Sequence, residues 1–214
     1  MRLSTEERLQ IARLFNFFKE GEILAHNCAK QQAKLFTDPV SRRFLLAQTR
    51  QEKMHARVFK AGIGILAPRG IGEVAAKREL ATYGRLLESA FDRGDACDTL
   101  LGMQIILEGM ADIALKRISD GFPSRGLTFR RIRQLVVGQE DAHHAFGLRR
   151  FQSLLPTQNS ELIQLQNLSQ QYLETIDTML ISLTPLFNYF EEDPRQYFDE
   201  MLQAMPSNLV QSAA

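Results

Sequence analysis

Four glutamates stand where a helical chain can least accommodate a free carboxylate, and this constrains the fold more than any other feature. Glu22, Glu52, Glu108 and Glu140 each fall on or beside an apolar stripe that recurs at helical spacing. Glu22 shares its stripe with Phe15, Phe18, Ala25, Ala29 and Phe36, and Glu52 with Leu45 and Phe59. Glu108 lies with Leu101, Ile105 and Leu115, and Glu140 with Val136, Gly147 and Phe151. Two of the four are followed three residues later by a histidine. These pairs are Glu52 and His55 in QEKMH, and Glu140 and His143 in QEDAHH, 88 residues further on.

The rest of the chain reads as helix nearly throughout. Ser4-Thr5-Glu6-Glu7 matches a capping box, and apolar residues then recur from Leu9 to Phe36. Thr37-Asp38-Pro39 ends that helix and starts a second, with Asp38 as N-cap and Pro39 in the first turn, running to about Gly62. The glycine-rich GIGILAPRGIG, 62–72, reads as a loop. It follows a helix rather than a strand, so a phosphate-cradling loop is not expected there. A weaker helix is expected over about 73–92, a third main helix from Gly94-Asp95 to about Ser119, a turn at 121–126, and a fourth main helix over about 128–155. After a break at 156–160, a long fifth helix reaches about Phe190. Pro194 opens a short amphipathic helix, and the tail after Met205 reads as loose. No strand pattern or solenoid-length repeat is visible. The expected class is all-α, one domain over 1–214, with a core over about 4–155 and additional C-terminal helices over about 158–205.

The glutamates match in depth. Glu22 lies 15 residues before Thr37 and Glu52 lies 14 after Asp38. At ~1.5 Å per residue, both sit ~21–23 Å from that turn. Glu108 lies 13 residues before Gly121 and Glu140 lies 14 after Gly126. They sit ~20 Å from theirs. Two antiparallel helix hairpins of equal depth can therefore stack four carboxylates in one layer. Four buried carboxylates without a basic partner are very unfavourable, and a pair of divalent metals resolves this. Glutamate and histidine at i and i+3 reach the same site. One Glu from each of two helices, and Glu-x-x-His from each of two others, is the ligand pattern of dimetal carboxylate bundles. The expected metal ligands, and with them the catalytic centre, are Glu22, Glu52, His55, Glu108, Glu140 and His143. Glu20 competes with Glu22 but lies off its stripe, and His144 competes with His143. His26 is expected to be a hydrogen-bonded core histidine. Gln104 and Asp112, one turn either side of Glu108, are candidates to orient the ligating imidazoles.

These residues resemble the ferritin-like superfamily, and within it the aldehyde-deformylating oxygenases. EGEILA resembles the segment carrying the first ligand there, QEKMH the second, QIILE at 104–108 the third and QEDAHHAFG the fourth. The resemblance covers roughly residues 10 to 155. It implies a four-helix bundle with a long helical crossover. It also implies a non-heme di-iron, dioxygen-activating oxidoreductase with an apolar, fatty-aldehyde-like substrate and an external electron donor. Glu52 and Glu140 would bridge the two irons, with Glu22 and Glu108 terminal. Imidazole and carboxylate suit manganese as well. Ala29 and Leu115 stand where that family has tyrosines, a departure that bears on the aldehyde substrate. Quinone hydroxylases of the demethoxyubiquinone type share the ligand set, and so leave a second substrate class open. A non-catalytic metal binder, or a helical interaction module without metal, are the readings from other classes.

Composition bounds the partners. The net charge of +1 gives no global attraction to nucleic acid or membranes. No apolar run approaches the ~20 residues of a membrane span, and MRLSTEERLQ lacks the apolar core of a signal peptide. Two cysteines, Cys28 and Cys97, are too few for a disulfide framework, so a cytoplasmic location is expected. Phe15, Phe18, Phe44, Phe59 and Phe146 are candidates to line an apolar substrate channel. Arg42-Arg43, Arg130-Arg131-Arg133 and Arg149-Arg150 are candidate docking points for a ferredoxin-type reductase or an acyl-carrier protein.

Overall fold

In a computed structural model, residues 3–72, 75–121, 130–155 and 159–209 are described, and all regular structure among them is helical. Helix α1 (Thr5–Leu35) opens on a complete capping box. The Ser4 hydroxyl accepts from the Glu7 amide at 3.1 Å, and the Glu7 carboxylate accepts from the Ser4 amide at 2.7 Å. Helix α2 (Pro39–Leu66) begins where expected, with the Asp38 carboxylate accepting from the Ser41 amide at 2.8 Å. The two helices run antiparallel: Arg8 reaches the carbonyls of Ile65 and Leu66, whereas His26 reaches that of Thr49.

Helix α2 runs four residues past its expected end. Gly62 does not break it but lets α1 come close, since a Cβ there would lie 2.7 Å from the Phe15 ring. Helix α3 (Lys77–Asp92) packs on α1. The third main helix is composite. Helix α4 (Ala96–Thr99), capped by Asp95, leads into a π-helical segment (Leu100–Leu107), and α5 (Glu108–Gly121) follows. Helix α6 (Arg130–Leu154) runs antiparallel to α5, with Lys116 paired to Asp141 and Gly109 facing His144. Of the expected turn at 121–126 only Gly121 is described, and it still belongs to α5. Of the expected break at 156–160 only 159 and 160 are described, and they already belong to the next helix. The start at Thr128 and the side chains of Arg130, Arg131 and Arg133 lie outside the described residues.

The long fifth helix is two. Helix α7 (Asn159–Ser182) ends before α8 (Thr184–Phe190), because Pro185 lacks the amide and its ring crowds the carbonyl four residues back. Helix α9 (Pro194–Ala204) then packs on α5. The chain beyond Met205 is not loose as far as Leu209, which is buried, and Gln166 holds the Asn208 carbonyl at 2.8 Å. Among the described residues, no helix is long and apolar enough to cross a membrane.

Candidate metal centre

Helices α1, α2, α5 and α6 bring the six expected ligands into one buried layer. Glu22 is 7% exposed, and Glu52, His55, Glu108, Glu140 and His143 are 0–2% exposed. The Nδ1 atoms of the two imidazoles organise it. His55 Nδ1 lies 3.0 Å from Glu140 Oε1, 3.2 Å from Glu52 Oε2 and 3.3 Å from Glu22 Oε2. His143 Nδ1 lies 3.1 Å from Glu52 Oε1, 3.6 Å from Glu140 Oε2 and 3.9 Å from Glu108 Oε2. Glu52 and Glu140 thus each turn one oxygen to each histidine, while Glu22 and Glu108 serve one histidine apiece.

Two groups of donor atoms that could hold a metal ion result: Glu22, Glu52, His55 and Glu140, and Glu52, Glu108 and His143, with Glu52 common to both. Both oxygens of Glu52, Oε1 of Glu140 and Nδ1 of His143 are buried without a hydrogen-bond partner. Unsatisfied buried acceptors of this kind are costly in an apolar core, and cations between them remove the cost. The donor set of hard oxygens and imidazole nitrogens fits first-row divalent ions.

Protons compensate the charge when no metal is bound. Burial, then repulsion from Glu140 and Glu52, drives the Glu108 carboxyl well above its ordinary range. Burial likewise raises Glu22 well above it, against the opposing contact with His55. Burial pulls the His143 imidazole down, but contacts with Glu108, Glu140 and Glu52 outweigh this and push it up to about 12. His55 is raised in the same way, with Glu140, Glu22 and Glu52 overcoming its burial. Burial would raise both Glu52 and Glu140, but the imidazoles of His143 and His55 outweigh it at Glu52, and contacts with Glu108, then His143 and His55, outweigh it at Glu140, so both shift down.

Neither imidazole is oriented by the residues expected to do so. Asp112 pairs with Lys116 at 2.7 Å, and Gln104 acts on a carboxylate through a relay. Gln104 donates to Gln32 and to Gln48, both at 2.9 Å, and Gln48 donates to Glu108 Oε1 at 2.7 Å. The π-helical turn and Gly147, where a Cβ would overlap Gln104, seat this relay. The imidazoles are held instead by Gln51 and Gln139. His55 Nε2 lies 2.7 Å from Gln139 Oε1, and His143 Nε2 lies 2.9 Å from Gln51 Oε1. Each glutamine directly precedes a ligand glutamate and reaches the histidine of the opposite helix. The visible signal is the repeated Gln-Glu-x-x-His, in which the glutamine recurs with the ligands.

The competing residues stand apart. Glu20 is 39% exposed and pairs with Lys19 at 2.7 Å. His26 is hydrogen-bonded as expected, donating from Nδ1 to the Thr49 carbonyl 2.7 Å away, but it is half-buried rather than in the core. His144 turns to Gly109, Asp112 and Lys116, and burial lowers its pKa.

A small cavity of about 70 Å³ touches Glu22, Glu108 and Glu140. It shares Phe17, Phe18, Met110, Ala114, Ile176 and Met179 with a larger apolar cavity of about 290 Å³ beneath α7, α8 and α9. Arg117 and Glu192, at 3.5 Å, stand at the polar end of the larger one. Of the five phenylalanines expected to line a channel, only Phe18 lines these cavities. Phe59 packs between Phe15 and Phe18, with centroids 5.5 and 5.4 Å away, and Phe44 stacks on Phe146 at 4.1 Å. The rest of the larger cavity is lined by Leu14 and Phe17 of α1, by Met110, Ala114 and Arg117 of α5, and by C-terminal helices whose approach no local pattern announces. No protein-family model matches this sequence, and no curated protein matches it.

Proposed function

We propose that this chain is a non-heme di-iron, dioxygen-activating oxidoreductase on a ferritin-like four-helix bundle, acting on an apolar substrate. The observation that carries the reading is the pair Glu52 and Glu140, each with one oxygen toward His55 Nδ1 and one toward His143 Nδ1. That disposition suits carboxylates that bridge two ions. Glu22 and His55 would complete one position, and Glu108 and His143 the other. When bound, two iron ions would supply the binding and reduction of dioxygen; manganese suits the same donors. Four carboxylates balance two divalent ions, so the filled centre can stay buried.

The surrounding residues divide the remaining work. Gln51 and Gln139 accept from Nε2–H of the imidazoles and so leave Nδ1 free to ligate. Gln48 holds Glu108 by one oxygen. Phe17, Phe18, Met110 and Met179 give an apolar approach that excludes water and receives a hydrocarbon chain. The aldehyde-deformylating oxygenases remain the family the motifs most resemble, and a fatty aldehyde is the first substrate to assay. Anaerobic loading with Fe(II), metal analysis and rapid mixing with dioxygen, with and without aldehydes, test the reading. About two irons per chain and substrate-dependent oxygen consumption are expected. Iron uptake without such consumption would instead identify a metal-binding protein.

A further inference from the structure

Helix α2 carries ligands on its inner side and cations on its outer side. Its one acidic residue is Glu52, buried at the metal centre. Its exposed face presents Arg42, Arg43, Arg50, Lys53, Arg57 and Lys60. Steps of three, four and eight residues keep Arg42, Arg50, Lys53, Arg57 and Lys60 on one stripe. From Arg42 to Lys60 it extends about 27 Å. None of the six cations enters an ion pair among the described residues, although Arg93, Arg117, Arg150 and Arg195 elsewhere all do. The whole chain carries only +1, so this charge is segregated on one face. Like charges at helical spacing repel, and nothing in the described fold offsets the repulsion.

We infer that this face of α2 docks an acidic one-electron carrier protein that supplies the metal centre with electrons, an inference that rests on the di-iron reading. Charge complementarity selects an acidic partner and steers its approach. Position selects a redox partner. Arg50, Lys53 and Arg57 interleave with Glu52 and His55 on the same helix, so a docked carrier stands about one helix diameter, ~10 Å, from the ligands. The electrons balance: two reduced carriers are each oxidised by one electron, and the two electrons return a ferric pair to the ferrous state. Other polyanions fit less well. No aromatic side chain of α2 is exposed for base stacking. The main apolar face of α2, with Leu45 and Phe59, is buried inside the protein, and between Arg42 and Lys60 Leu46 is the one large apolar side chain exposed, less than the continuous apolar face that enters a lipid surface.

The test uses the full chain and an acidic plant-type [2Fe–2S] ferredoxin as probe. Calorimetry at low salt should show binding that weakens about tenfold or more in ~0.5 M salt. The triple variant R50E/K53E/R57E should lose binding by about tenfold or more while keeping its melting temperature and iron content. Reduction of the iron-loaded ferric protein by reduced ferredoxin should slow in parallel, and reduction by a small viologen should keep its rate. The control R78E/R85E, on the exposed face of α3, should change none of these. Ferredoxin binding and reduction indifferent to the α2 reversal would overturn the proposal. So would stripe-dependent binding of RNA or of anionic phosphatidylserine vesicles by a chain that does not bind ferredoxin. A chain that binds ferredoxin through the stripe yet takes up no iron would uphold the surface and overturn the di-iron reading instead.

Discussion

Gln51 Oε1 lies 2.9 Å from His143 Nε2, so the residue before one ligand glutamate holds the histidine of the other Glu-x-x-His helix. Gln139 returns the contact to His55 at 2.7 Å. An amide oxygen can only accept, which fixes one imidazole proton on Nε2 and turns Nδ1 toward the carboxylates, where it carries a proton in the metal-free centre and offers its lone pair once a metal takes that proton's place. The two helices therefore set each other's ligands, and neither half of the centre is organised alone.

Removing that contact should weaken metal binding without emptying the site. Gln51→Leu and Gln139→Leu are each expected to lower affinity by about 10–100-fold, the usual cost of losing a partner behind a metal-bound histidine. Competition with a chelator measures the affinity, and nitrogen NMR of the zinc-loaded protein reports the tautomer. Gln→Glu, which keeps an acceptor oxygen, should retain the Nε2–H tautomer. Unchanged affinity in both leucine variants would show that the glutamines merely pack.

Metal uptake should release protons. At neutral pH the metal-free centre holds them on His143, raised to about 12, and on His55, also raised. Glu22 and Glu108, driven upward by burial, hold more. Metals take the places of these protons, so apparent affinity should rise with pH through the neutral range, with roughly two to four protons released per pair of ions. Calorimetry in buffers of different ionisation enthalpy counts them. In the metal-free protein, the raised imidazoles stabilise the fold fully below the ordinary histidine value of 6.5. That contribution fades as pH climbs through the folded value, about 12 for His143.

The two adjacent histidines should separate cleanly. His143→Ala removes the only imidazole nitrogen facing Glu108 and should cost one ion of the pair or change the spectrum of the iron-loaded protein. His144→Ala should leave the metal content as it is, because that ring faces Gly109 and the Asp112–Lys116 pair. Metal analysis of the two variants side by side checks both expectations.

What could be read along the chain was whatever repeats locally. The ligand glutamates betray themselves by falling on apolar stripes, and the matched distances of Glu22 and Glu52 from Asp38 put them level. The π-helical turn is different, since Leu100–Leu107 is a run of apolar residues and one glutamine that suits an α-helix equally well. What selects the wider turn is the seating of Gln104 between Gln32 and Gln48, a long-range contact. Gly62 misleads in the opposite direction, because in this helix its missing side chain admits Phe15. The break at Leu183 is missed when one helix is read through to Phe190, although Pro185 is the local signal for it. The crossed glutamines and the cavity under α7 to α9 were not legible, since each depends on which helix stands opposite.

Phe18 and Phe59 should respond differently to truncation, although they stack at 5.4 Å. Phe18 lines both cavities near the centre, whereas Phe59 lines neither and is clasped between Phe15 and Phe18. Phe59→Ala removes a packed ring from the core and should lower stability by about 3–5 kcal/mol, read as a fall in melting temperature. It should leave substrate preference as it was. Phe18→Ala opens space beside Glu22 and joins it to the larger cavity. It should shift the preferred aldehyde chain length upward while iron content stays at the wild-type level. Turnover across a series of chain lengths, with melting and iron content measured on the same samples, separates the two effects. A Phe18→Ala protein that melts earlier with an unaltered chain-length profile would mean that the cavity beside the ligands is packing space rather than a substrate path.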